Sequence, residues 1–421
     1  RHAVVLAIFH YGISGWGVYA IMGMAMAYFA YRRRDALAVR STLRPLLGAR
    51  VDGWIGDVVD TAALVGGVFG IAASLGVGVV QLNVALDILF GIPQGIGAQI
   101  GLIALSVIMA TISATTGVDR GVRVLSNINV VLAIGLALWV LISGDTAFLM
   151  DALVGSVGDF MVQFPQLTLE TYAYNRPEEW LNSWTLFFWA WWITWGAFVG
   201  MFLARISRGR TIREFFIGVM LVPSAVSLVW FAIFGGTAIH LEQQGASIWG
   251  DGNAQSQLFD LLHTLPGGVV WGVIAVALLA LFFITSADSA STVMGSMSQH
   301  GQTDANRFVT AGWGVLVALV GMTMLLTGGD DILKNLQNIT IVAASPFVIV
   351  IFILMFALVK DLRNDELYLD YREQQRFAAR LARERRIHRE AEKHRKSGSG
   401  VRRLVLNRNG HQPSRKLAVK K

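Results

Sequence analysis

Long apolar runs alternate with short charged ones along this chain. A helix needs about 20 mostly apolar residues to cross a bilayer. Nine stretches reach that length: about 3–31, 58–91, 98–114, 124–144, 184–206, 212–236, 267–286, 306–328 and 338–360. The pattern predicts an all-α membrane protein. The second stretch carries Gly66, Gly67, Gly70, Gly76 and Gly78, which either let neighbouring helices approach closely or break the helix. Composition agrees with the pattern: only 15% of the 421 residues are charged and 54% are hydrophobic, against about 25% charged in a soluble domain. The chain has no Cys, which removes disulfide frameworks, Cys-ligated zinc, iron–sulfur clusters and thiol catalysis together.

The net charge of +7 is unevenly placed. Residues 361–421 hold 18 of the 35 Lys and Arg but 8 of the 28 Asp and Glu. The connection after the first stretch carries Arg32, Arg33, Arg34, Arg40, Arg44 and Arg50, that after the third Arg120 and Arg123, and that after the fifth Arg205, Arg208, Arg210 and Arg213. Basic connections mark the cytoplasmic side, so these three and the tail face the cytoplasm. The intervening connections lean acidic, and residues 145–183 form the longest. This alternation starts the first stretch outside the cell, and the chain begins with Arg1. An odd number of helices is therefore expected upstream.

Two aromatic clusters fall inside the apolar stretches. Trp184, Phe187, Trp191, Trp195, Phe198 and Phe202 recur every three or four residues, which puts six rings on one helical face. Trp192 lies beside them. Membrane tryptophans ordinarily sit at the water interface, and Trp191, Trp192 and Trp195 lie deeper. Aromatic faces attract quaternary ammonium ions with about 0.5–2 kcal/mol per ring. A cage for such a ligand is one reading, and a packed aromatic core is the other. The first stretch repeats the theme with Trp16 and Tyr19; Tyr11 joins them only if Gly12 and Gly15 permit distortion. His10 reads as a buried, hydrogen-bonded histidine. In the seventh stretch, Thr285 and Ser286 offer hydroxyls near a helix end where freed carbonyls could join them, a donor set suited to sodium; hydroxyls bonded back to their own helix are the alternative. No Gly-rich phosphate loop, metal-spaced His pair or intramembrane carboxylate pair is present, so neither an enzyme nor an ATP-driven pump is indicated. A passive channel is the other transport class.

The run from Trp184 through W-A-W-W-I-T-W to A-R-I-S-R-G-R-T-I-R-E-F, and the stretch F-F-I-T-S-A-D-S-A-S-T-V-M-G, resemble the betaine/choline/carnitine transporter family, over the chain to about residue 396. The likeness is greatest to the osmoregulated, sodium-coupled glycine betaine permeases of actinobacteria. The resemblance implies a multi-pass carrier of the cell membrane with a cytoplasmic C-terminus. It implies an inverted-repeat, sodium-coupled fold of twelve helices, of which this chain holds nine, truncated at the N-terminus. Residues 1–360 would be the transporter domain: 1–144 the remainder of the first repeat, 145–183 an extracellular connection with an amphipathic helix, and 184–360 the second repeat. The implied substrate residues are Tyr11, Trp16, Tyr19, Phe187, Trp191, Trp192 and Trp195, with Phe198 and Phe202 as gates. Tyr11 replaces a tryptophan of the betaine carrier, a difference that bears on preference for another solute such as ectoine or proline. The implied sodium ligands are the Phe282 carbonyl, Thr285 and Ser286. The positions of a second sodium site fall on Gly67 and Ile71, which have no hydroxyls. No cofactor is implied beyond sodium as coupling ion. The solute is glycine betaine or a relative such as choline, carnitine, ectoine or proline, and the assembly a homotrimer.

The tail, 361–421, turns strongly basic after residue 373. Residues 374–396 have helix-former composition up to a Ser397-Gly398-Ser399-Gly400 linker, with Arg376, Arg380, Arg383 and Arg386 on one side. Such a helix beside a membrane attracts anionic lipid at about 1 kcal/mol per charge, and ionic strength screens the attraction. By resemblance this is an osmosensing regulatory tail; a solvated helix that only fixes topology is the plainer reading. Nucleic-acid binding is not expected.

Overall fold

The computed structural model describes residues 2–116, 119–250, 254–299, 301–302, 305–328 and 332–406. Every regular element among them is helical. The long helices are α1 (His2–Tyr11), α2 (Ile13–Ala27), α3 (Trp54–Phe90), α4 (Ile96–Thr116), α5 (Asp119–Ser143), α6 (Thr146–Leu169), α7 (Phe187–Ile206), α8 (Ile212–Gln243), the shorter α9 (Gln257–Thr264), α10 (Gly268–Ser298), α11 (Arg307–Thr327), α12 (Ile332–Arg363) and α13 (Glu366–Leu406). The chain forms two compact units, Arg1–Leu358 and Val359–Lys421.

Nine helical segments among the described residues are long and apolar enough to cross a membrane. Their membership differs from the sequence reading in one place. Thr146–Leu169 qualifies by length and composition, although it lies in the expected extracellular connection. It holds only two charges, Asp151 and Asp159, beside Pro165. The span expected at 98–114 falls within α4, a helix of 21 residues. The side chains of Arg120 and Arg123 lie outside the described residues.

Three local features position the site. First, Gly12 separates α1 from α2 with φ −93° and ψ −136°, so the first span is two helices rather than one. Second, α3 runs unbroken for 37 residues, so its glycines serve close approach rather than a break. A Cβ at Gly70 would run into Thr194 of α7. Third, α2 and α7 lie face to face with α3 on the other side of α7. A Cβ at Gly15 would strike the Trp192 indole, and one at Gly200 would strike Met22. Close helix approach through small residues is how membrane helices gain contact when no hydrophobic drive separates lipid from protein.

The basic connection 32–53 is partly neutralised by its own carboxylates and by those of the first turns of α3. Arg40 pairs with Asp60 and, at 2.7 Å, with Asp57. Arg44 pairs with Asp52 at 2.7 Å and Asp35 at 3.0 Å. Its hydrogen bonds hold the Asp52 carboxyl below the usual range. In the second unit, α13 carries through the Ser-Gly stretch to Leu406, where the sequence reading ends the helix. Each Gly costs a helix only about 1 kcal/mol. Arg376, Arg380, Arg383 and Arg386 are exposed.

Candidate functional site

The tryptophans of α7 divide between two sides. Trp191 and Trp195, four residues apart, both point at Ser74 of α3. The indole Nε1 groups donate to its Oγ at 2.7 and 3.1 Å, and Ser74 donates to the Gly70 carbonyl at 2.9 Å. A hydroxyl offers one donor and two acceptor lone pairs, so Ser74 is fully used. Phe187 stacks on Trp191, with centroids 5.8 Å apart and 13° between planes. Phe198 meets Trp195 edge-on at 5.2 Å. Phe187, Trp191, Trp195 and Phe198 thus form a ladder along α7, with Ser74 at its middle. Trp191 and Trp195 are half-buried, and Phe187 and Phe198 are buried.

Trp192, 100° further round the helix, faces α2 instead. It is buried against Gly15, with Tyr19 at 4.8 Å, Trp16 at 5.7 Å and Tyr11 at 6.0 Å between ring centroids. Its Nε1 donates to the His10 carbonyl at 2.8 Å, just ahead of the break at Gly12. That break also resolves Tyr11. With α1 and α2 no longer one regular helix, Tyr11 reaches Trp191 at 6.3 Å, Phe188 at 5.0 Å and Phe231 at 5.3 Å. Tyr11 therefore joins the two halves of the aromatic assembly. His10 is fully buried, with Nδ1 2.8 Å from the Leu6 carbonyl and Nε2 3.1 Å from Thr185 Oγ1.

Phe202 stands apart: it is 51% exposed, near the C-terminal end of α7. The sodium set also differs from expectation. The helix does not end near Ser286; α10 continues to Ser298, so the Phe282 carbonyl is not freed by a helix end. Thr285 Oγ1 donates back to the Leu281 carbonyl at 2.8 Å and leans toward the Phe282 carbonyl at 3.3 Å. Back-bonding of this kind is the ordinary behaviour of a helical Thr. Phe282, Thr285 and Ser286 still share one helical face, by their spacing of three and four. At the second-site positions, Ile71 is buried and a Cβ at Gly67 would meet Met294.

Sequence reasoning missed Ser74 and the His10 carbonyl, the two groups that fix the indoles. The only signal for Ser74 was a hydroxyl one turn after Gly70 in an otherwise apolar, glycine-rich helix. It also passed over Trp189, which lies on the far side of α7 against Phe9 at 5.5 Å.

An all-helical bundle with buried aromatic walls and several spans defines a multi-pass membrane protein. The profile of the BCCT, betaine/carnitine/choline family of transporters matches residues 1–367, and the chain belongs to that family, one of transporters rather than enzymes. It is 46% identical over 372 residues to the high-affinity choline transport protein of Escherichia coli K12, covering 87% of this chain and 54% of that one. It is 40% identical to the glycine betaine transporter OpuD of Bacillus subtilis, over 87% of this chain and 71% of OpuD. The betaine/ectoine transporter LcoP of Corynebacterium glutamicum is also 40% identical, over 87% of this chain and 58% of LcoP. The chain spans about half the length of the choline transport protein.

Proposed function

We propose that the protein is a secondary active transporter that takes a small trimethylammonium solute, glycine betaine or choline, into the cell. The observation that carries this reading is the pair of hydrogen bonds from Trp191 and Trp195 to Ser74. They use up both indole donors and hold two aromatic faces in fixed orientation. A quaternary ammonium has no N–H to donate and is bound by ring faces. Glycine betaine is favoured by the sequence resemblance. Choline is favoured as a second reading by the 46% identical relative and by the osmo-dependent choline transporter of Acinetobacter baylyi, 44% identical over 89% of this chain. Sodium coupling rests on the shared face of Phe282, Thr285 and Ser286. The cytoplasmic C-terminus rests on the run of basic connections, and osmotic regulation on the exposed arginines of α13.

The test is uptake by the full-length protein in proteoliposomes. It compares choline, glycine betaine, carnitine, ectoine and proline, with and without a sodium gradient. Saturable, gradient-driven uptake of a methylated solute is expected, and Trp195→Leu should reduce it at least tenfold at unchanged protein level. Equal uptake by Trp195→Leu, or non-saturating flux indifferent to any gradient, would refute the carrier reading.

A further inference from the structure

His10, near the end of α1, is wholly buried inside a sleeve of rings. Between centroids, Phe9 lies 5.3 Å from it, Trp189 5.4 Å, Phe188 5.7 Å, Trp180 6.2 Å and Trp184 6.4 Å. A phenylalanine would fill such a sleeve; what an imidazole adds is two ring nitrogens. Both are used. Nδ1 is 2.8 Å from the Leu6 carbonyl, one turn back on α1, and Nε2 is 3.1 Å from Thr185 Oγ1. A carbonyl only accepts, so Nδ1 is the donating nitrogen. In the neutral imidazole this leaves Nε2 as an acceptor, and the Thr185 hydroxyl donates to it.

Thr185 lies on the π-helical turn Asn182–Leu186 that leads into α7. Turns of this kind interrupt α-helices frequently at functional sites. Its hydroxyl behaves unlike those of other helical threonines in the chain. Thr168, Thr237, Thr323 and Thr340 donate back to the carbonyl four residues earlier, at 2.6–2.8 Å, the ordinary habit of a helical Thr. Thr185 turns its hydroxyl to His10, 175 residues away. From the backbone, the His10 carbonyl accepts Trp192 Nε1 at 2.8 Å. Residue 10 therefore grips the α7 segment at two places about two helical turns apart. Tyr11 follows directly, and Gly12 breaks the helix after it.

We propose that His10 is a positioning residue of the solute site. Clamped between Leu6 and Thr185, its ring fixes the end of α1 against the start of α7. That sets where Tyr11 meets Trp191 and where Trp192 meets Tyr19. The imidazole is enclosed by other rings and acts through those that face the solute. The inference rests on the reading of these rings as a solute wall, and it adds what holds the α1–α2 half of that wall against the α7 half.

The test uses the full-length protein in proteoliposomes, with choline and glycine betaine as probes. It reads half-saturation and maximal rate of uptake, together with quenching of tryptophan fluorescence by the solute. His10→Phe keeps a ring in the sleeve and removes both hydrogen bonds. It should raise half-saturation and the quenching midpoint about tenfold, the worth of one well-placed ring. Maximal rate and unfolding temperature should stay nearly unchanged, the pattern of lost binding rather than lost turnover. Thr185→Val removes the same contact from the other side and should do likewise. The double variant should be no worse than either single one, because both delete one coupled contact. His10→Gln, whose amide oxygen reaches toward Thr185, should recover most of the affinity. Unchanged half-saturation in His10→Phe would overturn the proposal. So would additive losses in the double variant, or a lowered unfolding temperature shared by His10→Phe, Thr185→Val and His10→Gln, which is the mark of packing alone. If Trp195→Leu left affinity intact while His10→Phe weakened it, the ladder reading would fail and the placing of Tyr11 and Trp192 by His10 would stand.

Discussion

Ser74 is the smallest change that should dismantle the aromatic ladder without touching a ring. Ser74→Ala removes the acceptor shared by the Trp191 and Trp195 indoles, at 2.7 and 3.1 Å. A buried donor left without a partner costs about 1–3 kcal/mol, so each indole will turn to find another acceptor rather than stay. Turning takes its face away from the ligand. At about 1 kcal/mol per ring, near the middle of the cation–π range, two rings contribute about 2 kcal/mol. That corresponds to about a thirtyfold loss, since 1.4 kcal/mol is tenfold. The assay is the concentration dependence of choline and glycine betaine uptake in proteoliposomes, with quenching of tryptophan fluorescence by the solute as an independent reading of binding. Ser74→Thr keeps the hydroxyl and should recover most of the affinity. Unchanged half-saturation and quenching in a well-expressed Ser74→Ala would show that the indole faces are not what binds.

Three further outcomes are expected. Gly15→Ala drives a methyl into the Trp192 ring and should destabilise the purified protein by about 1–3 kcal/mol, the usual cost of overpacking, read as a lower unfolding temperature; an unchanged temperature would mean the α2–α7 contact is loose. Thr285→Val keeps the shape and removes a hydroxyl, so it should raise the sodium concentration needed for half-maximal uptake at least tenfold; an unchanged sodium dependence would leave Thr285 as a back-bonded helix residue only. Removing residues 374–421 should alter activation by osmotic strength more than solute affinity, and a normal osmotic profile after that deletion would refute a sensing tail.

The spans were legible because bilayer thickness imposes a length on any apolar helix, and length is visible along one chain. The aromatic stripe was legible for the same reason: a period of three and four residues fixes an azimuth. An azimuth does not say which neighbour stands there. Phe198 and Phe202 share the stripe, yet one is buried and the other 51% exposed. Trp192, one residue from Trp191, turns by about a quarter of a circle and packs against α2. The glycines of α3 could signal either approach or a break, and only the placement of Thr194 and Met294 decides for approach. Thr285 illustrates the opposite error. A helix end was expected after Ser286, but small and polar residues from Ala287 to Ser298 continue the helix, and the hydroxyl bonds to its own backbone. The partners of Ser74 were out of reach, because they lie 117 and 121 residues away.

The hydrogen bonds of the three α7 indoles carry an argument about selectivity. Trp191 and Trp195 give their N–H groups to Ser74, and Trp192 gives its own to the His10 carbonyl. Ser74 has no lone pair to spare once it has accepted from both indoles, and its own O–H goes to the Gly70 carbonyl. What these rings present to a solute is therefore π surface and no hydrogen-bonding group. A primary ammonium carries three N–H donors and would give up water for faces that accept poorly. Burying a polar group without a compensating bond costs about 1–3 kcal/mol by protein measures, comparable to what two ring faces return. A trimethylated head has no donor to lose and keeps the whole of the cation–π attraction. Methylation, rather than charge or size, is thus the property that such a wall would read, because the one hydroxyl beside the rings already accepts from both indoles and has no acceptor left for an ammonium N–H.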